Sequence, residues 1–169
     1  MAQTLGRLGI ENLSIRKGIG SDIDALCALS NEINREHYRN MPEDFLKPDG
    51  GNQDEPYWNK FLQGDNSIVY VAEKNGVIVG AISASVSSTV VVPFIVPRAR
   101  CQVETIVVTK KYRGEGIGRM LMSAVEVFAK AKGAADIRLD VMGFNSGAIA
   151  FYKELGFGNF SSRLSKSLL

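Results

Sequence analysis

The chain has 169 residues, 45% of them hydrophobic and 22% charged, with a formal net charge of +2. That is long enough for one domain to bury a core without staples, and the charge is too small to point to nucleic acid or an anionic membrane. Cys27 and Cys101 form neither a metal-ligand spacing nor a disulfide framework. No run of about 18 apolar residues could span a bilayer, and the first residues, MAQTLGRLGIENLSIRKG, lack a signal-peptide core; the expectation is a soluble cytoplasmic protein without a metal.

Leu13-Ser14-Ile15-Arg16 alternates as a short strand does, and Gly18 and Gly20 end it. Ser21 reads as an N-cap, with Asp24 three residues on, for a helix whose Ile23, Leu26, Cys27, Ser30, Ile33 and His37 recur at helical spacing to about Tyr38. Residues 39–56 are polar and carry three prolines, which predicts an irregular loop; a short helix around Trp58 and Phe61 follows over 56–63. Ile68 to Ala72 reads as a strand, and Asn75-Gly76 as a hairpin turn into a second strand from Val77 to Val86. Residues 87–98 are apolar but hold two prolines, so they suit an edge or a loop. Arg100 to Thr109 is the next strand. Ile117, Met120, Leu121, Ala124, Val125 and Phe128 mark one face of a helix ending near Gly133. Ile137 to Met142 reads as a strand, and 145–155 as a helix with Asn145 or Ser146 as N-cap and Gly156 as C-cap. One or two strands are predicted in 157–168. Helices interleaved with strands in this order predict one α/β domain over 1–169 with a mixed sheet.

Between the strand ending at Thr109 and the helix opening at Ile117 lies YRGEGIGRML, with glycines at 114, 116 and 118. A strand, a glycine-rich turn and a helix N-terminus together turn several backbone N–H groups the same way, and the helix dipole adds about half a positive charge there. Glycines let the backbone approach phosphate oxygens and adopt positive φ. The segment is neither G-x-x-x-x-G-K-[ST] nor G-x-G-x-x-G, so two common nucleotide cradles are excluded. A glycine turn that merely lets helix and strand pack closely remains an alternative on this pattern alone.

Arg113-Gly114-Glu115-Gly116-Ile117-Gly118 resembles the R/Q-x-x-G-x-G/A signature of the GNAT superfamily of acyl-CoA-dependent N-acetyltransferases. Thr105-Ile106-Val107-Val108 stands at that family's usual distance upstream. Downstream, LDVMGFNSGAIAFYKELGF (139–157) resembles its second cofactor segment. The resemblance implies a GNAT-like α/β domain whose mostly antiparallel sheet splays at the acetyl-CoA site and is flanked by helices. It implies acetyl-CoA as co-substrate, its pyrophosphate on the backbone of Arg113, Gly114, Glu115, Gly116, Ile117 and Gly118 with Arg119 beside them. Its pantetheine arm would lie along Ile106, Val107 and Val108, with Asn145 as a polar contact. Tyr152 sits where the family often has its general acid.

Direct transfer to an amine needs a neutral nucleophile, a polarised thioester and a proton for the departing thiolate. Glu104, alternating with Val103 and Thr105, is one candidate to take the amine's proton or anchor the substrate. Asp140 is another, where some family members that acetylate protein N-termini carry a glutamate; a water chain is a third. Each acid could equally be a solvated strand-edge charge. His37, at the end of an amphipathic helix, reads first as structural, and Cys101 lacks a partner that would make it a nucleophile. His37, Phe45, Tyr57 and Trp58 fall in the region that shapes the acceptor pocket in the family. The acidic residues of the 39–56 loop hint at a cationic acceptor but suit a solvated loop as well.

The expected activity is transfer of an acetyl group to a primary amine of a small molecule, peptide or protein. The alternative is a non-catalytic acyl-CoA-binding module that kept the cradle. Neither nucleic acid nor membrane is expected as a partner. The family's members often dimerise, so a homodimer is compatible with the resemblance. A nucleotide-binding domain of another fold is disfavoured by the late position and register of the glycines.

Overall fold

Asn75 and Gly76 both adopt positive φ, 52° and 78°, as a two-residue type I′ hairpin turn requires. That turn joins β2 (Ser67–Lys74) to β3 (Val77–Ser88) and sets their register, with Lys74 opposite Val77. The structure is a computed structural model that describes residues 12–88 and 93–168. The N-terminal stretch read for a signal segment thus lies largely outside the described residues, as do 89–92 of the two-proline segment. The chain forms two compact units, the first running to Leu139 and the second starting at Asp140.

In the first unit β1 (Leu13–Lys17), β2, β3, β4 (Ala99–Val108) and β5 (Asp136–Leu139) form one sheet in that order. All neighbours run antiparallel except β4 and β5, which are parallel. Helices α1 (Ile23–Asn40) and α2 (Glu55–Gln63) close one face. Leu26, Cys27 and Leu29 of α1 recur at helical spacing and meet Trp58 and Phe61 of α2 over Val69, Val71, Ala81 and Val107. Trp58 is fully buried, and its indole N–H donates to Ser30 Oγ at 2.8 Å. Truncating such a tryptophan costs about 3–5 kcal/mol.

Helix α3 (Ile117–Ala131) covers the opposite face. Ala81 belongs to the α1–α2 core, whereas its neighbour Gly80 lies against Leu121 of α3, and successive strand residues point to opposite faces. Ile117, Leu121, Met122, Val125 and Ala129 are the buried stripe of α3. In the second unit α4 (Ser146–Glu154) follows Asn145, whose Oδ1 accepts the Ala148 N–H at 3.0 Å as an N-cap.

Three sequence-based expectations fail. β5 stops at Leu139 rather than Met142, and Val141 and Met142 are exposed. No strand forms among residues 157–168; Phe160, Leu164 and Leu168 are exposed there, so no sheet or core face receives them. Ser21 does not cap α1. A short 3₁₀ turn, Gly20–Asp22, precedes the helix, and Asp22 takes the N-cap position.

Asp22 serves a different purpose. Its buried carboxylate accepts two hydrogen bonds from the Arg16 guanidinium, at 2.8 and 3.0 Å, and the Ile19 N–H at 2.9 Å, while Arg16 also donates to Glu73 on β2. The Arg16 hydrogen bonds hold the Asp22 carboxyl below its ordinary value of 3.8. A carboxylate depressed on folding contributes stability that is present above its unfolded pKa and lost as pH falls through the folded one. Asp22→Asn should therefore lower stability by about 1–3 kcal/mol at neutral pH, with the gap closing below about pH 4. Chemical denaturation across pH checks this; a gap unchanged at pH 3 would count against the ion pair as its source.

Candidate functional site

The site grows out of a register slip on β4. Ala84 faces Val103 and Ser83 faces Thr105, so Glu104 is an extra residue with no partner of its own on β3. A bulge of this kind breaks alternation and bends the strand. The sequence reading that kept Val103 and Thr105 on one face is therefore corrected at this point. Parallel pairing with β5 also ends here, its last pair being Val103 with Leu139. Beyond it, residues 105–108 carry a strand partner on the β3 side alone among the described residues, in keeping with the splay that the resemblance implies.

The Thr109 N–H donates to Val79 C=O at 2.9 Å, and Val107 faces Ala81. By antiparallel alternation Val107 turns its N–H and C=O into β3, whereas Ile106 and Val108 turn theirs to the open edge. Of the three strand residues expected to meet the cofactor arm, two thus lie with their polar groups on that edge. Val107 instead buries its side chain in the core.

After β4 a 3₁₀ turn, Lys110–Tyr112, leads into the glycine loop. Gly114 and Gly116 adopt φ of 83° and 82°, and a Cβ on either would meet no atom within 4 Å. The space above the loop is open. Ile117, 1% exposed, pins the start of α3 beneath it. Gly118 and Arg119 belong to the first turn of α3, and Gly116 at its N-cap offers no side chain to cap it. Met120 is the first residue whose N–H finds an intrahelical partner, Gly116 C=O at 3.1 Å, so the N–H groups before it carry the dipole's positive end. Left-handed glycines, open space and uncapped N–H groups fit the pyrophosphate of acetyl-CoA.

Charged side chains hold this loop from below. Arg113 does not point a free cation at the cradle: its Nε donates to Val108 C=O at 2.9 Å, and its other nitrogens lie 3.6 and 3.7 Å from Glu32 and Glu36 of α1. Glu32 also accepts the Lys110 N–H and the Thr109 hydroxyl, both at 2.7 Å. Glu115 turns its carboxylate to Lys74 Nζ at 2.6 Å. Glu32 and Lys74 were not singled out from the sequence. A signal existed for the first, because carboxylates at i and i+4 on one helix repel unless a cation lies between them; Arg113 is that cation.

Glu104 is exposed at the bulge. Near it the Tyr57 hydroxyl of α2 shares hydrogen bonds with Thr105 Oγ1 at 2.6 Å and Ser83 Oγ at 3.1 Å; burial, with the Glu104 charge adding, raises its pKa. Cys101 is fully buried, and burial pushes its thiol up to about 11, which makes it inert as a nucleophile at neutral pH. His37 stacks on Phe45 with ring centroids 4.8 Å apart, and burial lowers its pKa. Trp58 is a core residue rather than a pocket wall. No group of three or more potential metal ligands occurs among the described residues, and no helix among them is long and apolar enough to cross a membrane.

Asp140, Asn145 and Tyr152 belong to the second unit. Asp140 is exposed just after β5. Asn145 uses its side-chain oxygen on the α4 cap. Tyr152 packs against Phe151 and Phe157, with centroids 5.3 and 5.9 Å away, and burial pushes its hydroxyl up to about 12.

The model of the acetyltransferase (GNAT) family matches residues 30–157. Among curated relatives, an uncharacterised N-acetyltransferase of Methanocaldococcus jannaschii is 33% identical over 101 residues, covering 60% of this chain and 43% of that protein. The streptothricin acetyltransferase of Streptomyces lavendulae is 41% identical over 58 residues, 34% of this chain and 31% of that one. The chain thus spans less than half the length of these relatives. A crystal structure of a mutant of the Bacillus halodurans protein BH1408 superposes with a TM-score of 0.87 at 25% identity, covering 92% of this chain and 99% of that one.

Glu32→Ala removes the acceptor of two short hydrogen bonds at the base of the loop. Stability should fall by about 1–3 kcal/mol, and the Lys110 amide should lose protection from hydrogen exchange. Unchanged protection at Lys110 would mean that Glu32 does not order the loop.

Proposed function

The chain belongs to the acetyltransferase (GNAT) family, and from that premise we propose that it is a single N-acetyltransferase domain passing the acetyl group of acetyl-CoA directly to a primary amine. The family match runs through both compact units, which supports reading 1–169 as one functional domain. The observation that carries the proposal is the uncapped α3 N-terminus, with its two left-handed glycines, beside an open strand edge at Ile106 and Val108.

In this reading the backbone from Arg113 to Arg119 holds the pyrophosphate through N–H groups, and neutralisation by the dipole replaces the water that phosphate gives up. The open edge at Ile106 and Val108 takes the amide-bearing arm as an added strand would be taken, and Asn145 contributes a further polar contact. Val107 supports that edge from the core. Bound acetyl-CoA supplies the activated thioester.

The amine must arrive neutral, so a base takes its proton; Glu104 at the bulge, Asp140 or a water chain fills this role. The amine nitrogen then bonds to the carbonyl carbon, the C–S bond breaks with its electron pair leaving on sulfur, and the second proton on nitrogen passes to water as the amide forms. Tyr152 is the proposed donor to that sulfur. Its hydroxyl, held near 12 by burial, stays protonated at neutral pH but is about 3.5 pKa units less acidic than an ordinary thiol. A charge-assisted hydrogen bond to the thiolate is therefore favoured over full proton transfer. The acceptor is proposed as a small-molecule or peptide amine; the acetyltransferase names of the relatives support the amine class without choosing within it.

The test is calorimetry with CoA followed by thiol release from acetyl-CoA across an amine panel. CoA at a hundredfold excess over its Kd should stabilise the fold by about 2.7 kcal/mol. Binding without thiol release across broad acceptors would instead support a non-catalytic acyl-CoA-binding module.

Two sets of variants sharpen this. Gly116→Val and Gly133→Val place a β-branched residue at similarly positive φ, 82° and 72°, so both should lose about 1–3 kcal/mol. Only the first should also lose CoA affinity, and equal affinity in the two folded proteins would refute the cradle. Tyr152→Phe should keep CoA affinity while lowering kcat about 10²-fold; wild-type turnover, with chemistry limiting in both proteins, would reduce Tyr152 to packing.

A further inference from the structure

Lys74 closes β2 and, by sequence, reads as a strand-end lysine beside a hairpin turn. The fold buries it: its side chain is 5% exposed, with Nζ 2.6 Å from Glu115 Oε2 and 4.7 Å from the centroid of the Tyr112 ring. Lys111 places its ammonium 5.2 Å from the same centroid. Tyr112 and Glu115 both belong to the segment between β4 and α3, so a cation from β2 reaches under the glycine loop from 41 residues away in sequence.

Burying an ammonium is costly unless it is paired in good geometry, and Glu115 supplies that pairing. The other half of the pair raises a sharper question. Glu115 stands between Gly114 and Gly116, in the middle of a loop proposed to hold pyrophosphate, where a carboxylate is the least suitable charge. A like charge within about 8 Å weakens anion binding roughly thirtyfold at an effective dielectric of about 20.

We infer that Lys74 is a positioning residue for the acyl-CoA cradle: it neutralises Glu115 and draws that carboxylate, 42% exposed, to β2, so that the backbone N–H groups face the phosphates without a competing negative charge. The inference rests on reading the loop as the pyrophosphate site and adds the device that makes a glutamate tolerable there. The left-handed glycines on either side let the Glu115 backbone serve the cradle while its side chain turns to β2.

A charge-neutralising role and a purely structural tie predict different patterns. The measurement is CoA binding by calorimetry on the full chain, with circular dichroism to confirm folding. Lys74→Met should weaken CoA binding about tenfold. Glu115→Gln keeps an oxygen that can accept from Lys74 Nζ but removes the negative charge, and should tighten CoA binding about threefold. The double variant should recover the affinity lost in Lys74→Met. Should Lys74→Met fail to fold, the direction of the Glu115→Gln effect decides alone. Weaker CoA binding by Glu115→Gln, or a folded Lys74→Met protein with the wild-type Kd, overturns the inference while leaving the cradle standing. A wild-type protein that binds no CoA overturns the cradle and the inference together.

Discussion

The extra residue at Glu104 is the constraint on which the rest of the site depends. A regular antiparallel β4 would keep one alternation from Ala99 to Val108. The slip between Val103 and Thr105 instead lets the lower half of the strand serve one arrangement and the upper half another. Below it, Cys101 and Val103 are buried residues of a strand paired on both sides. Above it, β5 has ended and the edge at Ile106 and the Val108 N–H is left for another partner, the Val108 C=O being taken by Arg113. Unpaired backbone groups inside a sheet are normally costly, and the edge left open where β5 stops is the one on which the proposed cofactor arm would pair. The bulge and the end of pairing fall within one residue of each other.

Electrostatics around the loop follow one rule. The segment from Thr109 to Arg119 is bordered by carboxylates, Glu32, Glu36 and Glu115, yet it presents an uncapped helix N-terminus suited to anions. Each carboxylate is engaged by a cation or by backbone and hydroxyl donors: Arg113 lies between Glu32 and Glu36, and Lys74 meets Glu115. The side-chain charges thus act as fasteners that order the loop, while the backbone offers the positive potential. A loop ordered before its ligand arrives loses less conformational entropy on binding. Glu32 joins α1 to this loop through the Thr109 hydroxyl and the Lys110 N–H.

Much of the fold was legible in the sequence because the signals involved are local. The Asn75-Gly76 turn and the Asn145 cap depend on residues within a few positions of one another and form where those residues predict; the α3 stripe does so at Ile117, Leu121 and Val125, whereas Met120 is exposed and Met122 takes its place in the core. The same locality explains the misses. Val141 and Met142 were read as continuing β5, but among the described residues no strand pairs with them and both are exposed. Residues 157–168 were read as one or two strands by their place at the end of the chain pattern, but no strand pairs with them among the described residues and Phe160, Leu164 and Leu168 stay exposed.

The amino-acid sequence by itself determined the order of elements, the glycine loop and its place at a helix start, because backbone preferences and the 2.0 and 3.6 periodicities act over short spans. The tertiary structure alone decided which backbone groups of β4 face the open edge, since that depends on registers with β3 and β5. It also decided what the charged residues do. Glu32 meets Thr109 across 77 positions and Lys74 meets Glu115 across 41, and contacts of that range exist only once remote segments pack against one another. That Arg113 would bridge Glu32 and Glu36, and that Lys74 would be buried against Glu115, was not legible in the chain, because a side chain's partner is set by what folds against it.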